Sequence, residues 1–132
     1  MTAPNAQFAP LAEQWSVLLT TYKRDGTPVG TAVNIALDGD RAFVRSFEKA
    51  GKIKRIHNNS DVEIAPCKPN GKPTGPAIRA HARVLSERDA AEIKQARELI
   101  NRKHPIVQRV GVQLFHRLVR HKTMYIELTP RR

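Results

Sequence analysis

The chain has 132 residues, with 23 Lys and Arg against 12 Asp and Glu, a net charge of +11 and a pI near 10.5. That length suits one domain around one core, and 40% hydrophobic residues are too many for a disordered basic tail. No apolar run nears the ~20 residues of a membrane-spanning helix, and a lone cysteine, Cys67, excludes an internal disulfide and the usual Cys-based zinc centres.

The first ten residues lack the basic and apolar regions of a secretion signal, so residues 1–132 read as one cytoplasmic domain, with 1–9 a loose leader. Residues 10–15 suit a short helix, with Pro10 in its first turn. Residues 16–22 and 29–37 are apolar and β-branched around an Asp25-Gly26 turn, the pattern of a hairpin. Asp38-Gly39-Asp40 then turns the chain into a third strand, 41–47, in which Ala42 and Val44 alternate with Arg41, Phe43 and Arg45.

Residues 51–59 change character, with Ile53 and Ile56 forming one apolar edge of a short helix that the Asn58-Asn59 pair ends. A strand over 61–67 follows, then a turn at 68–73 centred on Asn70-Gly71. Residues 77–85 alternate cleanly: Ile78, Ala80, Ala82 and Val84 on one face, Arg79, His81 and Arg83 on the other. Ser86 and Asp89 form a capping-box start to a helix over 90–102, with Ile93, Ala96 and Ile100 at helical spacing. A further helix is predicted from Pro105, with Val107, Val110, Leu114 and Leu118 on one face and Gly111 interrupting it, before a closing strand at 123–128. The order predicts an α+β fold on an antiparallel sheet closed into a small barrel.

The charge points to an anionic partner. Its densest cluster is Arg41, Arg45, Lys49, Lys52, Lys54 and Arg55, opposed only by Glu48 and running from a strand end through a Gly-containing turn into a helix. Free N–H groups at a helix start, with Lys and Arg beside them, make a phosphate cradle; the plain alternative is a solvated charged face. The basic residues from Arg97 to Lys122, among them Arg102, Lys103, Arg109, Arg117 and Arg120, read most simply as the wet face of their helices. Five histidines lack ligand spacing, since His116 and His121 are five apart and His57, His81 and His104 stand singly, so no metal site is expected. No nucleophile elbow is present, and Cys67 reads as a buried strand residue. With 5% aromatics and no recognition motif, nucleic-acid binding ranks last.

Six segments carry a resemblance when taken in order: residues 18–31 (LLTTYKRDGTPVGT), 42–45 (AFVR), 51–59 (GKIKRIHNN), 62–67 (VEIAPC), 71–76 (GKPTGP) and 124–130 (MYIELTP). Together they resemble the pyridoxamine-5'-phosphate-oxidase-like superfamily, and most closely its small deazaflavin (coenzyme F420)-dependent oxidoreductases. The resemblance implies a split β-barrel that forms a homodimer with cofactor sites at the interface. It implies that Lys52, Lys54 and Arg55, with Asn58, hold the phosphate. Arg45, Ser46 and Phe47, with the strand around Thr31 and Asn34, would line the ring. His57 stands where relatives often carry Arg or Lys, and Phe47 is bulkier than the residue usual there. The implied activity is hydride transfer from reduced F420 to a small organic acceptor, with flavin mononucleotide (FMN) as the alternative cofactor and a non-catalytic carrier as the alternative role. No catalytic residue is named by either route, because the cofactor carries the hydride chemistry itself.

Overall fold

A computed structural model describes residues 7–14, 16–47, 50–103 and 123–131. Six antiparallel strands form a closed barrel: β1 (Ser16–Tyr22), β2 (Pro28–Asp38), β3 (Arg41–Phe47), β4 (Asp61–Cys67), β5 (Ile78–Val84) and β6 (Thr123–Pro130). Round the barrel the order is β1-β2-β3-β6-β5-β4, with β4 closing onto β1. This is the architecture expected from the alternation and the turns. Helix α1 (Gly51–Asn58) joins β3 to β4, and α2 (Ala90–Lys103) follows β5. The helix predicted from Pro105, with Gly111 and His116, lies outside the described residues, as do Lys49 and most of the second basic stretch.

The hairpins form where the turn residues stand. Gly26 and Gly39 adopt φ of 89° and 63°, a region open to glycine and strained for residues bearing a Cβ. The third turn differs in detail. Lys68 and Lys72 close a small loop, and Cys67 bridges Pro73, yet β5 pairs with β4 only from Ile78 opposite Ile64. Two extra residues therefore separate the two pairings: Thr74 N–H still donates to Pro66 O at 2.8 Å, and residues 75–77 leave the ladder.

Long β2 bends between two partners. Its first part pairs with β1 from Pro28 opposite Tyr22 to Asn34 opposite Ser16, and its last four residues pair with β3. Alternate side chains point inward, so Val33, Ile35 and Leu37 join Val17, Leu19, Ala42, Val44, Ile64, Ile126 and Leu128 in the barrel core. Ile53 and Ile56 of α1 enter that same core and plug one end of it. Phe8, inside the stretch read as a loose leader, is fully buried there with Leu11. The helical segment expected over 10–15 is a single 3-10 turn, Ala9–Leu11.

A second, smaller core lies outside the barrel. Phe43, Ala36 and Tyr125, on the outer face, are covered by Ala96 and Ile100 of α2 and by Leu85. The Ser86–Asp89 capping box forms as predicted, one turn before α2.

Candidate functional site

Helix α1 follows β3 and presents its start to solvent. Its N-cap is Ala50, which supplies no side-chain acceptor, and its first turn holds no acidic residue. The leading N–H groups are therefore without a capping side chain, at the positive end of the helix. Arg55 folds back over this turn. Its guanidinium Nη1 lies 2.6 Å from where a Cβ on Gly51 would stand, so any side chain at position 51 would displace it. Arg55 Nε also donates to Thr21 Oγ1 at 2.6 Å, which anchors the guanidinium to the end of β1.

Lys52 lies three residues from Arg55 and on the same flank of the helix. Burial pushes its amine below the usual lysine value, and the charge of Arg55 pushes the same way. Two cations held close together and partly desolvated favour an anion between them. Lys54 and Asn58 are exposed, and Lys54 sits about 200° round the axis from Lys52. The structure therefore brings Lys52 and Arg55 together and leaves Lys54 on another face.

The remaining predicted residues divide between the two faces of the sheet. Thr31 faces inward opposite Leu19, whereas Asn34 faces outward opposite Ser16. Three residues apart on a strand, they cannot line one pocket from one face. Ser46 points inward and is buried, and its Oγ finds no hydrogen-bond partner among the described residues. Arg45 points outward, donates to Asn101 Oδ1 on α2, and stands 5.8 Å from the Tyr125 ring centroid. For Phe47 the structure describes the backbone, which pairs with Thr123.

The six-residue cationic cluster is thus not one surface. Arg41 binds Glu127 Oε2 at 3.3 Å and lies over Phe43, Arg45 turns to α2, and among the described residues of the cluster Lys52 and Arg55 meet at α1. The wet-face reading of Lys103 is also overturned. Arg97 and Arg102 are exposed, but the Lys103 Nζ is buried, because residue 103 continues the inward stripe of Ala96 and Ile100. Thr21, the hydroxyl that orients Arg55, is not among the residues the resemblance implies; its inward position at the end of β1 is the one sequence signal for it.

Two clefts lie elsewhere. One of about 270 Å³ is lined by Tyr22, Glu63, Arg79 and Arg131, among others. Beside it Arg131 pairs with Asp61 Oδ2 at 2.7 Å, and His81 Nδ1 lies 3.2 Å from Asp61 Oδ1. The other, about 470 Å³, lies between the start of β6 and residues 85–93. Neither is lined by a residue predicted to bind a cofactor. Among the described residues no three His, Cys, Asp or Glu side chains gather as metal ligands, and no helix is long and apolar enough to cross a membrane.

No family model matches the chain, and no curated protein matches it. Solved structures do. A Vibrio cholerae heme storage protein, HutZ, superposes with a TM-score of 0.64 at 16% identity, covering 91% of this chain and 84% of its own. A Listeria innocua protein described as a proposed pyridoxamine 5'-phosphate oxidase matches at 0.61 and 14% identity, over 97% and 95%. An F420 reductase matches at 0.61 and 16%, over 98% and 97%. At these identities the likeness shows the fold. The closed six-stranded barrel shares its fold with these structures.

Proposed function

We propose that the chain is an oxidoreductase that binds a phosphate-bearing deazaflavin, coenzyme F420, and serves hydride transfer to a small organic acceptor. One observation carries this reading. The uncapped start of α1 holds two cations, Lys52 partly desolvated and Arg55 tethered by Thr21, in the arrangement a phosphate monoanion or dianion complements. The residues fit such a group: two donors of opposite style, a mobile ammonium and a planar guanidinium, converge with backbone N–H groups. With no side chain at Gly51, the Arg55 guanidinium takes that space beside the first turn of α1.

When bound, the deazaflavin would supply the hydride and the protein would supply binding, orientation and field. Lys52 and Arg55 would fix the phosphate end. Thr21 would hold Arg55 at one angle, so that the guanidinium meets its ligand preorganised. The likeness to an F420 reductase supports the cofactor class, and the likeness to a heme storage protein is why a carrier without turnover is the competing role. A homodimer belongs to the same reading. The outer face of β1 and β2 carries Leu18 and Ala32 side by side, apolar positions suited to contact with a second copy.

The test is titration of purified protein with F420 and with FMN at low and moderate salt, followed by acceptor screening with the reduced cofactor. Tighter binding of F420, weakened severalfold or more in Lys52→Ala and Arg55→Ala, supports the reading. FMN preference would move the assignment to a flavin enzyme, and binding without acceptor reduction would make the protein a carrier. Binding of neither below about 1 mM would end the cofactor claim. Sedimentation at several concentrations checks the dimer.

A further inference from the structure

The cleft of about 270 Å³ lies on the outer face of the barrel, where β1, β4 and β5 run side by side. Side chains alternate along each strand, so Tyr22, Glu63 and Arg79 face outward beside the inward Thr21, Val62 and Ala80. Glu63 stands directly opposite Arg79 in the β4–β5 ladder and opposite Thr20 in the β1–β4 ladder. Tyr22, two residues beyond Thr20 on the same face, lies beside them.

Independent contacts bring the same side chains together. The Tyr22 phenol feels the charges of Glu63, Arg131 and Arg79, and it shares a hydrogen bond with the Glu63 carboxylate. Arg131 follows the end of β6, and its backbone N–H donates to Arg79 O at 3.2 Å. Exposed Gly26, in the first hairpin turn, borders the cleft; a Cβ there would meet nothing within 4 Å, so this side is open.

Asp61, Glu63, Arg79 and Arg131 charge this lining, and two of them satisfy each other. Arg131 Nη1 meets Asp61 Oδ2 at 2.7 Å, and His81 Nδ1 lies 3.2 Å from Asp61 Oδ1, so both oxygens are engaged. Glu63 and Arg79 are left, side by side with Cβ atoms about 5 Å apart. The Glu63 carboxylate offers about four acceptor sites, of which the Tyr22 phenol takes one. The exposed Arg79 guanidinium makes no hydrogen bond or ion pair among the described residues. A bare anion drawn to Arg79 would meet Glu63, and a bare cation drawn to Glu63 would meet Arg79. A molecule carrying both charges on neighbouring atoms complements the two. The volume, just under the ~300–1,000 Å³ of ordinary ligand pockets, limits that molecule to a small one.

We propose that this cleft binds a small zwitterion of the α-amino-acid class, with its carboxylate on Arg79 and its ammonium on Glu63. The site is separate from the α1 pair, because Tyr22 and Thr21 face opposite sides of β1 and Arg55 is held by Thr21. It requires no deazaflavin and does not rest on the oxidoreductase reading.

The Tyr22 ring signal reports occupancy by NMR; the chain has two tyrosines, so its loss in Tyr22→Phe assigns it. The protein is titrated at neutral pH and constant ionic strength with L-alanine, and with propionate and ethylamine, which each lack one of its charges. A saturable shift with L-alanine, at least about tenfold weaker with either single-charge analogue, supports the proposal. Affinity for L-alanine should fall about tenfold in Arg79→Gln and in Glu63→Gln, as for a lost charge-assisted hydrogen bond, and should hold in Lys52→Ala. Arg79 is exposed, so Arg79→Gln leaves the core intact, and an unchanged thermal midpoint confirms that its loss of binding is local. Propionate binding as tightly as L-alanine would make the cleft a plain anion site and overturn the proposal. So would L-alanine binding that survives Arg79→Gln, that is lost in Lys52→Ala, or that fails to saturate below about 50 mM. Neither F420 nor FMN enters these measurements, so they can fail while the cofactor reading stands, and the reverse also holds.

Discussion

Arg55 Nε and Thr21 Oγ1 are joined by a hydrogen bond of 2.6 Å that links the middle of α1 to the end of β1 across the mouth of the barrel. Thr21 is fully buried, so its hydroxyl has little access to water and is satisfied from within. Replacing it by Val keeps the shape and removes the acceptor. Thr21→Val should cost about 1.5 kcal/mol, as for a bond to a charged donor. It should also weaken phosphate or F420 binding by about 3- to 10-fold, because Arg55 is freed to other rotamers. Urea unfolding and a binding titration read the two effects separately. Unchanged affinity would show that Thr21 does not orient Arg55.

Ile56 tests the plug. It is 4% exposed and packs with Ile53 among the inward side chains. Ile56→Ala should lower stability by about 2–5 kcal/mol, from lost burial and the cavity left behind. Since α1 carries the cationic pair, phosphate affinity should fall with it. Denaturant midpoints and the same titration are the checks, and a change below about 1 kcal/mol would mean that α1 is not part of the core.

Asp89 sets an acid limit. The Ser86 backbone N–H and then Arg83, at 2.8 Å, hold its carboxyl below the usual aspartate value. A carboxyl depressed in the folded state stabilises above its unfolded value, and that contribution is lost as pH falls through the folded value. Stability should therefore drop from about pH 4 downward. Asp89→Asn should be less stable at neutral pH and should show less of that acid slope. Parallel slopes in the two proteins would remove Asp89 from the acid response.

Tyr22 behaves in the opposite sense at the alkaline end. Burial, followed by the charge and hydrogen bond of Glu63, raises its phenol above the ordinary 10.0. The neutral phenol is the form the fold favours, so this contribution is complete below the unfolded value and lost as pH rises through the folded one. In a Tyr125→Phe background, tyrosinate absorbance should report a midpoint above 10.0 that Glu63→Gln lowers. An unmoved midpoint would assign the shift to burial alone.

Much of the barrel was legible residue by residue. Asp25-Gly26 and Gly39-Asp40 fall at hairpin turns, Ile53 and Ile56 mark the buried edge of α1, and Ser86 with Asp89 marks the approach to α2. These signals are local, involving positions two to four residues apart. The opposite facing of Thr31 and Asn34 was equally legible, since three residues on a strand reverse the side. The resemblance groups the two as one lining, which this alternation does not allow.

By itself, then, the sequence determined the strands, the hairpin turns, helices α1 and α2 and the presence of an excess of positive charge beside a helix start. Only the tertiary structure decided how that charge is divided. Alternation tells which side chains of β3 share a face, and says nothing of what covers that face. Phe43 and Arg45 look equally outward, yet α2, about 50 residues later, buries one and binds the other. The same packing buries the Lys103 Nζ, expected on the wet face, and leaves Lys52 with Arg55 at α1. Period fixes orientation within an element, whereas docking between elements is set by long-range burial, and it is docking that divides a single net charge among different surroundings.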